Sequence, residues 1–326
     1  MDLTIVIVNW NSADYAIDCV KSIVSSTQGL DFEIVVVDNA SSDHSLEILQ
    51  KELPNVRLVR SATNIGFAKG NNLGFQFASG RHVLFLNPDT FVLGPAISRM
   101  YASLESSPAV GAVGCKLLNA DSTIQTSCIQ PFPNILNQLA DIERLKVRYP
   151  NLKLWKIRPL FDGHNGNALP VEAVSGACLM VKRDVFNRIG LFSEDYFMYG
   201  EDLDLCYKIR RAGWQVCYVG GATVMHYGGK STARKGIDGF QTVLMRESIY
   251  TFMKKFRGPL YAELYRFTLL LSALIRLSVL IPFWVLSRAR PKRERVILAI
   301  RKWHKILGWA AGQGKIQRSD ETRKGS

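Results

Sequence analysis

A glycine-rich phosphate loop is missing where many nucleotide-binding α/β chains carry one. After the first apolar run this 326-residue chain has Asn9-Trp10-Asn11-Ser12 rather than G-x-G-x-x-G. The glycine-bearing segment Asn64–Gly74 is not closed by G-K-[ST] either. The first absence excludes a nicotinamide dehydrogenase and demotes a nucleotidyltransferase to an alternative. Cysteine is sparse: six residues, none in a C-x-x-C pair, which removes the usual zinc and dithiol patterns. Buried, reduced thiols are expected, as in a cytosolic catalytic domain. Internal repeats and low-complexity tracts are lacking. Met1-Asp2-Leu3 has no basic flank and the run Leu3–Val8 stops at Asn9, so a strand is expected there rather than a leader. Acidic residues are scarce only near the end. Charges cancel over residues 1–245, and the whole net charge of +13 lies in residues 246–326. That asymmetry predicts a neutral catalytic domain, 1–245, followed by a basic region, 246–326, that meets an anionic surface. A nucleic-acid partner is not expected, because the basic region has an apolar centre.

Hydrophobic residues make up 47% of the chain, enough for a large core. The first half alternates β-branched runs with helical periodicity. Strands are expected at Leu3–Val8, Glu33–Val37, Val56–Val59 and His82–Leu86. Helices are expected around Ala16–Val24, Ser45–Glu52 and Phe67–Ala78. This order predicts an α/β fold with a doubly wound, mostly parallel sheet and helices on both faces. Ligands of such sheets bind beyond the carboxyl ends of the strands, where Asn9, Asn11, Asp38, Asn87 and Asp89 fall. Residues 119–170 lose periodicity and are expected to be an insertion or a substrate-facing region. Pattern returns at Val171–Val181, then as a helix over Glu201–Arg211 and a strand at Val216–Val219.

Several segments suggest chemistry, and each alone has a plainer reading. Asp38, in VVVDNASSD, can accept from a pyrimidine N3–H or a ribose hydroxyl, or can cap its turn. NIGFAKGNNLG offers close backbone approach and a helix start that favours an anion, or a glycine-tolerant turn. Asp89, in FLNPDT, would repel a diphosphate unless a divalent cation such as Mg2+ or Mn2+ bridged them; a simple turn aspartate is equally compatible. Glu201, Asp202 and Asp204 open a helix, where carboxylates favour the dipole; alternatively one of them, Asp202, is a general base. His226, in VMHYGGKS, can complete a site with one carboxylate and phosphate oxygens, or be structural.

Taken in order, these strings resemble inverting glycosyltransferases of the GT-A fold in the family 2 class. So do SGACLMVKRDVF and GLFSEDYFMYGEDLDLCYKIRRAG. The nearest branch is that of the rhamnosyltransferase-like enzymes of bacterial cell-wall polysaccharides. The resemblance covers roughly the first three quarters of the chain. It implies that Asn9, Trp10, Asn11 and Asp38 frame the nucleotide, and that Asn64 and Gly66 lie by its base and ribose. It implies Asp89 and His226 as metal ligands and Asp202 as catalytic base with Glu201 beside it. Asn87 stands where the family's D-x-D motif has its first aspartate, a departure that leaves one carboxylate there. The implied reaction moves a sugar from a dTDP- or UDP-sugar, with dTDP-L-rhamnose favoured, to a saccharide acceptor. A non-catalytic sugar-nucleotide-binding relative is the other alternative.

The basic region contains the apolar run Phe267–Leu286, interrupted by Arg276 and Pro282 and flanked by Lys and Arg. About 20 apolar residues suffice to span a bilayer. Arg at its centre would cost ~2.5–3.5 kcal/mol, so a helix or helical hairpin lying in the interface is expected, with Arg276 reaching the headgroups. The expected location is the cytoplasmic face of the plasma membrane, which suits a lipid-linked acceptor. A helix pair packed on the catalytic domain or on a second subunit is the alternative.

Overall fold

A computed structural model describes residues 1–140, 143–160, 168–228, 238–286 and 290–313. The amino-terminal half runs β1 (Leu3–Asn9), α1 (Ala13–Ser26), β2 (Phe32–Asp38), α2 (Ser45–Glu52), β3 (Arg57–Arg60), α3 (Gly66–Phe75), β4 (His82–Leu86), β5 (Thr90–Leu93), α4 (Ala96–Glu105) and β6 (Val110–Leu118). Short pieces follow: β7 (Ile129–Gln130), α5 (Ile135–Leu139), α6 (Glu143–Arg148), β8 (Leu169–Val171) and β9 (Ala173–Val174). Then come β10 (Cys178–Lys182), α7 (Arg183–Arg188), α8 (Glu201–Arg211) and β11 (Gln215–His226). Three long helices close the chain: α9 (Asp238–Arg257), α10 (Pro259–Leu286) and α11 (Arg290–Ala310). Helix α9 runs through residue 245, so the expected domain boundary falls inside a helix.

The main sheet has the order β3-β2-β1-β4-β10-β6-β11-β5, with β8 also on β11. β3, β2, β1 and β4 are parallel neighbours. β1 is buried along all seven residues, which is why it reads as a continuous apolar run. α3 lies over the Val6 and Val8 side of β1. A Cβ on Gly74 would stand 2.5 Å from Val6 Cγ1, so glycine is what lets the helix come this close. Ile5 and Ile7, equally buried, point to the opposite layer. The parallel order breaks at β10, which is antiparallel to both β4 and β6.

The structure extends the sequence-based expectations in three places. β11 does not stop at Val219; it continues to His226 through a register shift between Val219 and Thr223. Gly220-Gly221-Ala222 there forms a bulge that re-aims the strand. β5 was not expected at all. Residues 119–170 carry short strands and helices that wall the cavity described below.

The last three helices pack on each other and on the catalytic core. α10 buries Ala262, Tyr265, Leu269, Ala273 and Leu277, a stripe at helical spacing. Arg276 does not reach outward as expected: its guanidinium stacks on Trp303 of α11, 4.5 Å from the ring centre, and its Nε donates to Ser272. Arg266 likewise holds the carbonyls of Trp309 and Ala310. The helix continues through Pro282. Arg288 and the Gly229-Lys230-Ser231 end of the VMHYGGKS string lie outside the described residues.

Candidate active site

A cavity of about 680 Å3 opens beyond the carboxyl ends of β1 and β4. Its wall includes Trp10, Asn64, Gly66, Asn87, Asp89, Glu201, Asp202 and His226. Eight sequence-selected residues from five separate segments therefore share one wall. Asn9, Asn11 and Asp38 are not wall residues. Asn9 Nδ2 donates to Asp38 Oδ1 at 3.2 Å, and Asp38 Oδ2 accepts from the Ser41 amide. Asn11, at φ 52°, accepts from the Ser42 amide at 2.7 Å. These three brace the β1 and β2 loops that present Trp10 and Asn39 to the cavity.

The glycine segment has a specific geometry. Gly66 has φ +80°, and a Cβ there would collide with the Phe197 carbonyl, which also accepts from the Phe67 amide. Asn64 Oδ1 takes the Asn39 side chain and the Gly66 amide, 3.0 Å each. Asn39 lines the cavity, and the sequence reading passed over it in favour of its neighbour Asp38.

Sheet pairing assembles the Asp89–His226 pair. β5 and β11 place Thr90 opposite His226, and the Tyr227 amide donates to the Asp89 carbonyl. His226 Nε2 then stands 3.4 Å from Asp89 Oδ1. Gln125 fixes the imidazole: its Nε2 donates to the His226 carbonyl at 2.7 Å, so its Oε1, 3.0 Å from Nδ1, accepts the Nδ1 proton. The Nε2 lone pair then accepts from the Asn87 amide nitrogen at 3.3 Å and lies beside the Asp89 carboxylate. A lone pair and a carboxylate aimed at one point form a donor pair suited to a divalent cation. Among the described residues no third His, Cys, Asp or Glu joins them. The donor set thus fits a cation whose other ligands come from substrate and water, as Mg2+ and Mn2+ allow.

Helix α8 supplies the carboxylates. Gly200 precedes it in the left-handed conformation, and Glu201 and Asp202 occupy its first turn. Asp202 Oδ2 accepts from the Gly176 amide (3.0 Å) and from Gln130 Nε2 (3.2 Å), and Oδ1 accepts from the Leu203 amide. Burial raises its pKa, and these three donors oppose the rise. Glu201 lacks such support: its Oε2 is buried without a partner. Burial, then the Asp202 charge, pushes Glu201 up to about 8. Burial thus favours the protonated form of Glu201, while the three donors on Asp202 favour its carboxylate. Gln125 and Gln130 were missed in the sequence, where both sit in the stretch without periodicity.

The layered sheet with its strand-end cavity defines a GT-A-type fold. The mannosyltransferase PcManGT of Pyrobaculum calidifontis, solved with GDP-mannose and Mn2+, superposes with a TM-score of 0.59 at 16% identity over 95% of this chain and 86% of that one. The glycosyl transferase family 2 profile matches residues 4–190, and the chain belongs to that family. An N-acetylglucosaminyl-diphospho-decaprenol L-rhamnosyltransferase of Mycobacterium tuberculosis is 26% identical over 287 residues, 83% of this chain and 89% of that protein. A low-salt glycan biosynthesis hexosyltransferase of Haloferax volcanii is 27% identical over 214 residues, 64% of this chain and 62% of that protein.

Proposed function

We propose that this glycosyltransferase moves a sugar, L-rhamnose being the favoured candidate, from a nucleotide-sugar to a saccharide carried on a lipid diphosphate, with inversion at the anomeric carbon. The observation that carries this reading is the single cavity shared by Asp202 and the Asp89–His226 pair. Trp10, Asn39, Asn64 and Gly66 hold the nucleotide at one end, behind loops that Asn9, Asn11 and Asp38 brace. Asn87 lies beside the leaving diphosphate. Asp89 and His226 would hold Mg2+ or Mn2+, which offsets charge on that diphosphate when bound. Asp202 takes the proton of the attacking hydroxyl, a contribution of ~100- to 10,000-fold. Glu201 stays neutral beside it, which limits like charge against the donor phosphates. The attack is one displacement, without a covalent enzyme intermediate.

The acceptor class is supported by the lipid-diphosphate named for the mycobacterial relative and by α10. Only 17% of its most apolar window is buried. Leu260, Leu264, Phe267, Leu271, Leu274 and Ile275 stand exposed along one side. α11 packs along α10 and carries seven Lys and Arg over residues 290–305. A spanning α10 would carry these into hydrocarbon, at ~2.5–3.5 kcal/mol each near the centre. The hairpin therefore lies in the interface of the cytoplasmic leaflet, with its exposed stripe inward.

The experiment is a panel of nucleotide-sugars with Mn2+, read by thermal shift and by slow donor hydrolysis. One donor should raise the midpoint and be hydrolysed to the inverted sugar. Stabilisation by one of the dTDP-, UDP- or GDP-sugars with no hydrolysis of it would reject the transferase reading in favour of a binding protein.

A further inference from the structure

α9 is the first helix of the tail, yet it meets both the cavity and the catalytic helix α8. Its residues 245, 248 and 249 line the cavity, and 252, 255 and 256, further along at helical spacing, touch α8 at Asp204 and Tyr207. Met245, Ser248 and Ile249 line the cavity, and Ser248 Oγ donates to the Met198 carbonyl, two residues before Gly200. Phe252 and Phe256 pack on Tyr207 of α8, and Phe252 also on Phe132, two residues from Gln130.

The polar end of this stripe is Lys255. Its ammonium donates to Asp204 Oδ2 at 2.8 Å, to Ser193 Oγ at 2.8 Å and to Asp195 Oδ2 at 3.2 Å. Asp204 is fully buried, lies two residues after Asp202 on α8, and also accepts from Tyr196 Oη and Ser193 Oγ. Lys208, from the next turn of α8, stands 3.5 Å away on the other carboxylate oxygen. A buried carboxylate needs such cations to stay ionised, and Lys255 is the one that comes from outside α8 and its preceding loop.

We propose that Lys255 is a positioning residue for the reaction. By seating on Asp204 it sets the axial position and pitch of the first turn of α8, and so the reach of Asp202 into the cavity. The C-terminal helices are then part of the catalytic unit as well as its anchor. The assignment of Asp202 as base rests on the function proposed above; the mechanical link between α9 and α8 does not.

The test uses the full chain in detergent and the variants K255M, K255R and S193A. Backbone amide exchange over residues 201–204 reads the position of α8 whether or not the protein turns over. K255M should speed that exchange at least ~10-fold. It should lower kcat on the order of 10- to 100-fold with the donor KM within about 3-fold, as for a misplaced catalytic group. K255R should recover most of both. S193A, which removes one partner each from Lys255, Asp204 and Lys208, should give a smaller change in the same direction and covers the case in which K255M does not fold. R57M, which removes a guanidinium that donates to the Phe77 carbonyl at the edge strand β3, should leave exchange and kcat unchanged. Wild-type exchange and kcat in folded K255M, or in S193A if K255M does not fold, overturns the proposal. Absence of donor turnover in the wild type would instead reject the transferase reading, and the exchange data would still decide the role of Lys255.

Discussion

His226 Nε2 faces Asp89 Oδ1 across 3.4 Å, and the ring is held in that orientation by Gln125 Oε1 at Nδ1 and by the Asn87 amide nitrogen at Nε2. An imidazole nitrogen and a carboxylate held this close on the cavity wall can take a divalent cation between them, in place of the hydrogen that Asn87 offers to Nε2. Asp89→Ala and His226→Ala should each abolish the Mn2+-dependent part of donor binding. Gln125→Leu should weaken Mn2+ affinity by ~10- to 100-fold, because the ring loses its orientation. Isothermal titration with Mn2+ and donor checks all three. Undiminished turnover in EDTA would remove the cation from the reaction.

Asp202→Asn should reduce transfer by at least ~100-fold and leave donor affinity within a few-fold. The substitution can keep an oxygen toward Gly176 and Gln130 while it gives up the acceptor of the Leu203 amide, and it removes the base. Steady-state turnover beside equilibrium donor binding reads both. Activity close to wild type would mean that another group takes the proton.

The raised pKa of Glu201 has a thermodynamic counterpart. Its folded value, about 8, lies above its ordinary 4.5, so the folded chain binds more protons than the unfolded chain between those two pH values. Stability therefore falls as pH rises through that window, and the loss is complete above the folded pKa. Glu201→Gln removes the cost of ionising there. Its melting temperature relative to wild type should be higher at pH 8 than at pH 5. An equal difference at both pH values would mean that Glu201 ionises normally.

How much of this was legible beforehand depended on the range of the signal. β1, β2 and β4 could be read because buried parallel strands are continuous β-branched runs, and α8 because its acidic start and basic end follow the helix dipole. The seven-residue run at β1 was placed to within one residue at its end. β5 was hidden: Thr90–Leu93 is four residues after a proline turn, and its meaning lies in pairing with a strand more than 130 positions later. Asp89 and His226 were each named for chemistry, but only that pairing brings them together. Gln125 and Gln130 act through single contacts from an irregular segment, which leaves no period to detect. Asp38 reads as a nucleotide contact or a turn cap; its carboxylate takes the Asn9 side chain and the Ser41 amide, and its neighbour Asn39 faces the cavity. Lys255 and Asp204 are 51 residues apart, and a lysine in a basic tail gives no sign of a buried partner.

That geometry sharpens the expectation for Asp38→Ala. The β1 and β2 loops lose their brace, so the donor KM should rise by ~10-fold or more while kcat changes little, because nucleotide contacts act equally in ground and transition states. A pure kcat defect would place Asp38 nearer the reacting centre than the structure does.

The exposed stripe on α10 should govern sedimentation with lipid. Leu264→Lys, Phe267→Lys and Ile275→Lys together should release the chain from anionic vesicles in high salt, where apolar burial dominates, without lowering donor hydrolysis. Flotation of the triple variant beside wild type measures this. Retention of the variant would move the contact surface elsewhere.

All six thiols are buried as free cysteines, and burial pushes those of Cys19, Cys128 and Cys206 up to about 12. A thiol reacts as its thiolate, and a buried one is out of reach of reagents, so alkylation at neutral pH should be slow in the native molecule. The chain thereby carries its own clock: each cysteine is labelled only when its neighbourhood opens. Cys206, inside α8, times the catalytic helix, while Cys19 in α1 and Cys115 in β6 time the central sheet. Labelling at intervals, followed by peptide mass mapping, would order the opening of these regions without any added probe.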